Sequence, residues 1–213
     1  MFTLTAGFGI PKTADAGSSQ MQKCRFVFPE SSSTTTNTTP MASVSFDAKG
    51  ELLVTPSPVS SQDDFDFLTG SWNILNRKLK TRLNNCQEWT EFKANGTMHK
   101  VLHGLGNTDN FITAFDGKPF EGFTIRIFNP QTKLWSIYWA DTNTGALDKP
   151  VSGSFENNIG RFYCRDVFNG KDILVTFQWD KTDPEKPVWS QAFSPDNGKT
   201  WEWNWYNVSV RVN

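Results

Sequence analysis

Trp201-Glu202-Trp203-Asn204-Trp205 sets an indole at every second position near the end of a 213-residue chain. Successive side chains of a strand point to opposite faces, so a period of two reads as a strand. It predicts Trp201, Trp203 and Trp205 on one face and Glu202, Asn204 and Tyr206 on the other. The period recurs upstream. Trp135, Ile137 and Trp139 alternate with Leu134, Ser136, Tyr138 and Ala140, and Ile173, Val175, Phe177 and Trp179 alternate with Leu174, Thr176 and Gln178. All nine tryptophans fall between Trp72 and Trp205. One aromatic-lined β-domain running from about residue 65 to the end follows from that distribution.

Turn residues punctuate the whole interval: Asn95-Gly96, Asp116-Gly117-Lys118-Pro119, Asn129-Pro130, Asn169-Gly170 and Asp196-Asn197-Gly198. Asn-Gly and Asp-Gly pairs supply the positive φ that tight hairpin turns need. Between them the spacing predicts strands at 71–80, 87–94, 97–103, 109–115, 120–129, 133–140, 150–156, 160–168, 172–180, 187–193 and 200–212. Such regular punctuation points to an antiparallel meander, and closing it removes two exposed sheet edges. The chain is therefore read as all-β, a single antiparallel β-barrel of about ten strands, ahead of a two-sheet sandwich.

Residues 1–62 contain no Trp or Tyr but include the run Ser31-Ser32-Ser33-Thr34-Thr35-Thr36-Asn37-Thr38-Thr39-Pro40. A segment so poor in apolar surface does not offset its ordering entropy, so 1–62 reads as a disordered, low-complexity N-terminal arm and 63–213 as the barrel domain. The start, Met1-Phe2-Thr3-Leu4, has no basic n-region, which disfavours a secretory signal. The expected location is cytoplasmic, with organelle targeting through the Ser/Thr-rich N-terminus as the alternative and Met41 as a second candidate start. With 21 basic and 22 acidic residues, scattered singly, the chain has no field for nucleic acid. No apolar run is long enough to span a bilayer. Cys24, Cys86 and Cys164 fit no metal spacing and are odd in number, so all three are read as reduced, and no metal or cofactor is expected.

Gly70-Ser71-Trp72 at the first strand resembles the Gly-x-Trp signature of the lipocalins and the wider calycin group. There the Trp crosses the closed end of a barrel beneath a basic side chain of the last strand. Arg211 stands where that resemblance implies such a partner. Residues 65–72, 135–141, 160–163 and 189–205 together look like an uncharacterised family of lipocalin-like, calycin-type β-proteins of the domain-of-unknown-function kind. The resemblance covers 65–212 and implies the barrel, but it brings no catalytic residues. Ser194-Pro195-Asp196-Asn197-Gly198-Lys199-Thr200-Trp201 also matches a box of sialidases and other propellers. A propeller needs several copies and one is present, so this box is read as turn chemistry.

The two histidines, His99 and His103, fall in one predicted strand at i and i+4, about 13 Å apart and too distant to share a metal unless the strand bulges. They are read as half-exposed strand residues, with haem ligation and a general base as alternatives. Glu202 alternates with the indoles. If the Trp face packs outward, Glu202 and Asn204 enter the barrel together with Arg126, the one polar residue between Ile125 and Ile127. Apolar walls with a few polar anchors make a small-ligand site. The expected function is binding of a small apolar or aromatic molecule inside the barrel, with Arg126, Tyr138, Glu202, Asn204 and His99 as contacts. The alternative is a cofactor-free isomerase, cyclase or hydratase using His103, Tyr138 or Glu202 as acid or base. A third reading is an interaction module with an exposed aromatic face. A small molecule is the expected partner, nucleic acid and membrane are not, and a homodimer is left open.

Overall fold

The computed structural model describes residues 44–212. Two short strands, β1 (Ser45–Phe46) and β2 (Leu52–Leu53), pair as a small hairpin. Ten longer strands follow: β3 (Gly70–Leu79), β4 (Trp89–Val101), β5 (Gly106–Phe115), β6 (Lys118–Asn129), β7 (Leu134–Asp141), β8 (Val151–Glu156), β9 (Ile159–Phe168), β10 (Lys171–Asp180), β11 (Val188–Ser194) and β12 (Glu202–Arg211). Each pairs antiparallel with its neighbour in sequence, and β12 pairs with β3 to close the barrel. The result is an all-β, up-and-down, ten-strand closed barrel, consistent with a lipocalin-like fold.

Local chemistry makes the hairpins. Asp116-Gly117 (φ 50° and 75°) and Asn169-Gly170 (φ 51° and 75°) are two-residue loops with positive φ at both positions. At Ser194–Trp201 the expected turn chemistry is present. Asp196 accepts from the Thr200 N–H (2.9 Å) and hydroxyl (2.7 Å), and Trp201 Nε1 donates to the Gly198 carbonyl (3.1 Å). Those hydrogen bonds, Thr200's first, hold the Asp196 carboxyl down at about 2.

Asn95-Gly96 corrects the sequence reading. It lies inside β4, one strand where two were expected. Gly96 stands opposite Trp72, and a Cβ there would come within 2.7 Å of the Asn110 carbonyl oxygen. The glycine serves a close approach of two backbones, not a turn. At the same place the β4–β5 ladder is interrupted between the pairs Asn95–Ile112 and Met98–Asp109, and the Thr97 N–H donates to the Asn110 side-chain oxygen (2.9 Å).

Phe65, Leu68, Trp72, Trp135, Phe155, Phe162 and Trp179 belong to one buried cluster. Phe65, from the segment before β3, meets Trp135 edge-on at 4.9 Å and Phe155 at 5.0 Å, plugging this end of the barrel. The expected Arg211–Trp72 contact is present, with the guanidinium carbon 4.2 Å from the ring centroid. Arg211 also donates to the carbonyls of Thr69 (2.8 Å) and Phe67 (2.9 Å), tying the last strand to the plug.

Of the expected 1–62 arm, residues 1–43, with Cys24, lie outside the described residues. Residues 44–62 contact the rest of the chain. Arg165 lies over Phe46 (5.0 Å) and donates to the Gly50 carbonyl (2.7 Å). The Ser57 N–H donates to Ser154 Oγ (2.8 Å), and the Ser60 hydroxyl to the buried Asp64 carboxylate (2.6 Å). Composition concealed this because, Phe46 apart, these anchors are backbone groups and hydroxyls. Cys86 and Cys164 are free thiols.

Candidate functional site

Register decides which side chains enter the barrel. On β3 the inner series is Trp72, Ile74, Asn76 and Lys78, and cross-strand partners continue it around the wall. Inside lies a cavity of about 100 Å³, several times the room one water needs. Five tryptophans form its walls, Trp72, Trp139, Trp179, Trp189 and Trp205, with Met98, Phe111, Ile137 and Phe177 between them. Gly122 makes room for one of them: a Cβ there would collide with the Trp139 indole, whose Nε1 donates to Asp141 (3.1 Å).

Polar groups are few and concentrated. Arg126 of β6 is buried and lines the cavity beside Asp109 of β5. Its Nη1 donates to Asp109 Oδ2 in a short ion pair and to Asn107 Oδ1 at 3.0 Å. The guanidinium also lies 5.1 Å from the Phe65 ring centroid and 5.7 Å from that of Trp179. Two buried polar atoms of the lining residues, Arg126 Nε and Asn207 Oδ1, have no hydrogen-bond partner among the described residues. One is a donor and the other an acceptor.

The aromatic period that defined β12 does not run through it unbroken. Gln191 pairs with Trp205 and Ala192 with Trp203, so Asn204 is an extra residue, a β-bulge. The expectation of Trp203 and Trp205 on one face is corrected accordingly. Trp205 lines the cavity, whereas Trp203 stacks on Tyr206 (6.3 Å) on the other side of the strand. Asn204 is fully buried, and its side-chain oxygen accepts from Gln191 Nε2 (2.8 Å).

The expected site residues do not converge. Arg126 is in the cavity. Glu202 stands opposite Phe193, and both its carboxylate oxygens accept from the Leu83 N–H (2.8 and 2.9 Å), fastening the 80–88 loop. Tyr138 pairs with Ile125 on the outer face of β7. His99 is exposed on β4. His103 is exposed too, in a turn after β4 with φ 52°, so the two histidines do not share a strand. Asp109 and Asn207 went unnoticed in the sequence. Counting outward from the Asp116-Gly117 hairpin places Asn107 opposite Arg126, and Asp109 two residues along on the same face.

A second recess of about 220 Å³ lies beside the first and shares Ile137, Trp139 and Phe177 with it. Cys164, Asp166 and Lys149 contribute to its wall. Burial, then the Asp166 charge, push the Cys164 thiol up to about 12, so it stays protonated and unreactive at neutral pH.

No protein-family model matches this chain, and no curated protein does. The barrel's enclosed aromatic clusters are compatible with ligand binding.

Proposed function

We propose that the protein is a calycin-type carrier or sensor of a small, neutral, largely apolar or aromatic molecule held inside the barrel. The aromatic cavity with its internally neutralised charges supports this reading best. Arg126 and Asp109 cancel one another, so a charged guest would forfeit its hydration without gaining a countercharge. A flat neutral guest keeps the stacking surface of the indoles. Burial at ~25 cal/mol per Å² supplies the affinity, and the cavity volume suits a guest built on a single ring. A cofactor-free isomerase, cyclase or hydratase in this cavity would draw on Asp109 and Arg126, since His103, Tyr138 and Glu202 lie elsewhere.

The test is a titration of the full chain with benzyl alcohol, followed by tryptophan fluorescence. Ser209, small, buried and on the cavity wall, is replaced by Leu to fill the space without touching the ion pair. Wild type should show saturable quenching, and Ser209→Leu should weaken it by about tenfold or more at an unchanged or higher melting temperature. Equal binding by both proteins would place the ligand outside the barrel.

A further inference from the structure

Aromatic side chains fill both ends of the barrel. At one end Phe65, 1% exposed, is wedged between Trp135 and Phe155. At the other, Phe115 meets Phe92 and Phe120 edge to face (5.1 and 5.3 Å), and Lys78 Nζ stands 3.7 Å from the centroid of the Trp205 ring. Leu83, carried by the loop that Glu202 fastens, packs against the core as well.

The wall between these ends is not whole. β7 runs to Asp141 and β9 to Phe168, but β8, which lies between them, starts only at Val151. It pairs with β7 at Trp135, Ser136 and Ile137, and with β9 from Ile159 to Tyr163. The ring thus lacks part of one strand, and the gap left between its neighbours is two strand spacings, about 10 Å. The 142–150 segment crosses this gap, held to β7 by the Asp148 N–H, which donates to the Trp139 carbonyl (2.8 Å). Behind it lies the recess of about 220 Å³. Cys164 and Asp166 line it from the part of β9 that β8 does not cover. Leu147 lines it from the crossing segment and is 56% exposed, so the recess reaches the surface there. On its inner side, Ile137, Trp139 and Phe177 are also walls of the aromatic cavity. The Trp139 indole is the largest of the three, and Asp141, at the edge of the same gap, holds its Nε1 (3.1 Å).

We propose that the recess is the entrance to the barrel. The neutral aromatic guest enters sideways between β7 and β9, past Leu147, and reaches the cavity when the Trp139 indole turns aside. This deepens the ligand-binding reading and rests on it for the guest. Such a route sets how fast the guest exchanges and not how tightly it is held, because the seated guest has left Leu147 behind. Substitutions in a contact surface act mostly on dissociation. A change at an entrance raises or lowers one barrier that both directions cross, so the two rates move by the same factor.

Exchange of benzyl alcohol with the full chain is followed by NMR line shapes across a titration, which give both rate constants and the affinity. Leu147→Trp narrows the mouth and Leu147→Ala widens it, at an exposed position that does not line the cavity. Phe115→Leu loosens the far end instead. Leu147→Trp should slow association and dissociation alike, by about fivefold or more, and Leu147→Ala should speed both, with affinities within about twofold of wild type. Phe115→Leu should exchange as wild type does. Rates unmoved by either Leu147 variant, or faster exchange in Phe115→Leu, overturn the entrance and leave the ligand reading standing. A change confined to dissociation overturns it too, since it places the bound guest against Leu147. No saturable binding by wild type refutes both readings.

Discussion

Single side chains carry two consequences that solution measurements can read. Lys78 has its ordinary value of 10.5 when the chain is unfolded and about 7 when folded. Between those values the unfolded chain binds the extra proton, so stability rises as pH rises through this window. Below it both states are charged, and the fold bears the full cost of burying the ammonium. Lys78→Met should therefore be more stable than wild type by roughly 1–3 kcal/mol below the window, with the advantage fading above it. Urea unfolding across a pH series checks this, and parallel profiles for the two proteins would contradict it. Arg211→Ala removes the contact with Trp72 and leaves the Thr69 and Phe67 carbonyls unpaired. A loss of about 2 kcal/mol is expected by chemical denaturation. This pair was legible through the resemblance of Gly70-Ser71-Trp72 to the calycin Gly-x-Trp signature, which implies a basic partner from the last strand. Lys78 was not, since nothing in Asn76-Arg77-Lys78 says which of the two cations turns inward until the strand is phased from Trp72.

Among the elements, β12 and its attached loop illustrate how far alternation can be trusted. The period of two predicted the strand, and the bulge at Asn204 redistributed its indoles. Bulges are invisible to a pattern that is apolar on both sides of the disruption, as Trp203 and Trp205 are. Asn95-Gly96 misled for a related reason: the same dipeptide serves a hairpin turn or a tight backbone crossing, and only the partner strand decides. Glu202, chosen from the sequence as a site carboxylate, fixes the 80–88 loop instead. Glu202→Gln gives up one of the two acceptors and the charge. Stability should fall by about 1 kcal/mol, and amide exchange at Leu83 should accelerate, while benzyl alcohol affinity stays as in wild type. A shift in affinity with exchange at Leu83 unchanged would return Glu202 to the ligand.

For the whole molecule, turn spacing and aromatic content made the ten-strand closed barrel readable, because each hairpin is a local event repeated around the wall. The cavity was only half readable. Arg126 stood out as a polar residue in an apolar strand, but its neutralising partner Asp109 sits in the polar run Thr108-Asp109-Asn110, where a buried carboxylate looks like any other. The contacts of residues 44–62 with the barrel carried little apolar signal in the sequence. A chain starting at Asp64 would lose the Ser60 and Ser61 groups that bind the Asp64 carboxylate, beside which Trp135 Nε1 also lies (3.3 Å). That truncation should unfold at lower urea by roughly 1–3 kcal/mol, whereas one starting at residue 44 should keep these contacts. Limited proteolysis leaving a stable core that begins after residue 62 would contradict this. The bulge at Asn204 also bears on heredity. In an open sheet, a codon gained or lost lets the strand slide and carry the error out past an edge. A closed ring has no edge to absorb it, but the bulge at 204 does: Gln191 and Ala192 are adjacent and pair with Trp205 and Trp203, so a one-codon deletion at 204 would leave both indoles at their stations and cost the Gln191–Asn204 hydrogen bond. Length in this strand is therefore expected to vary at 204 and to be held elsewhere, where a codon gained or lost would turn the indoles to the opposite face.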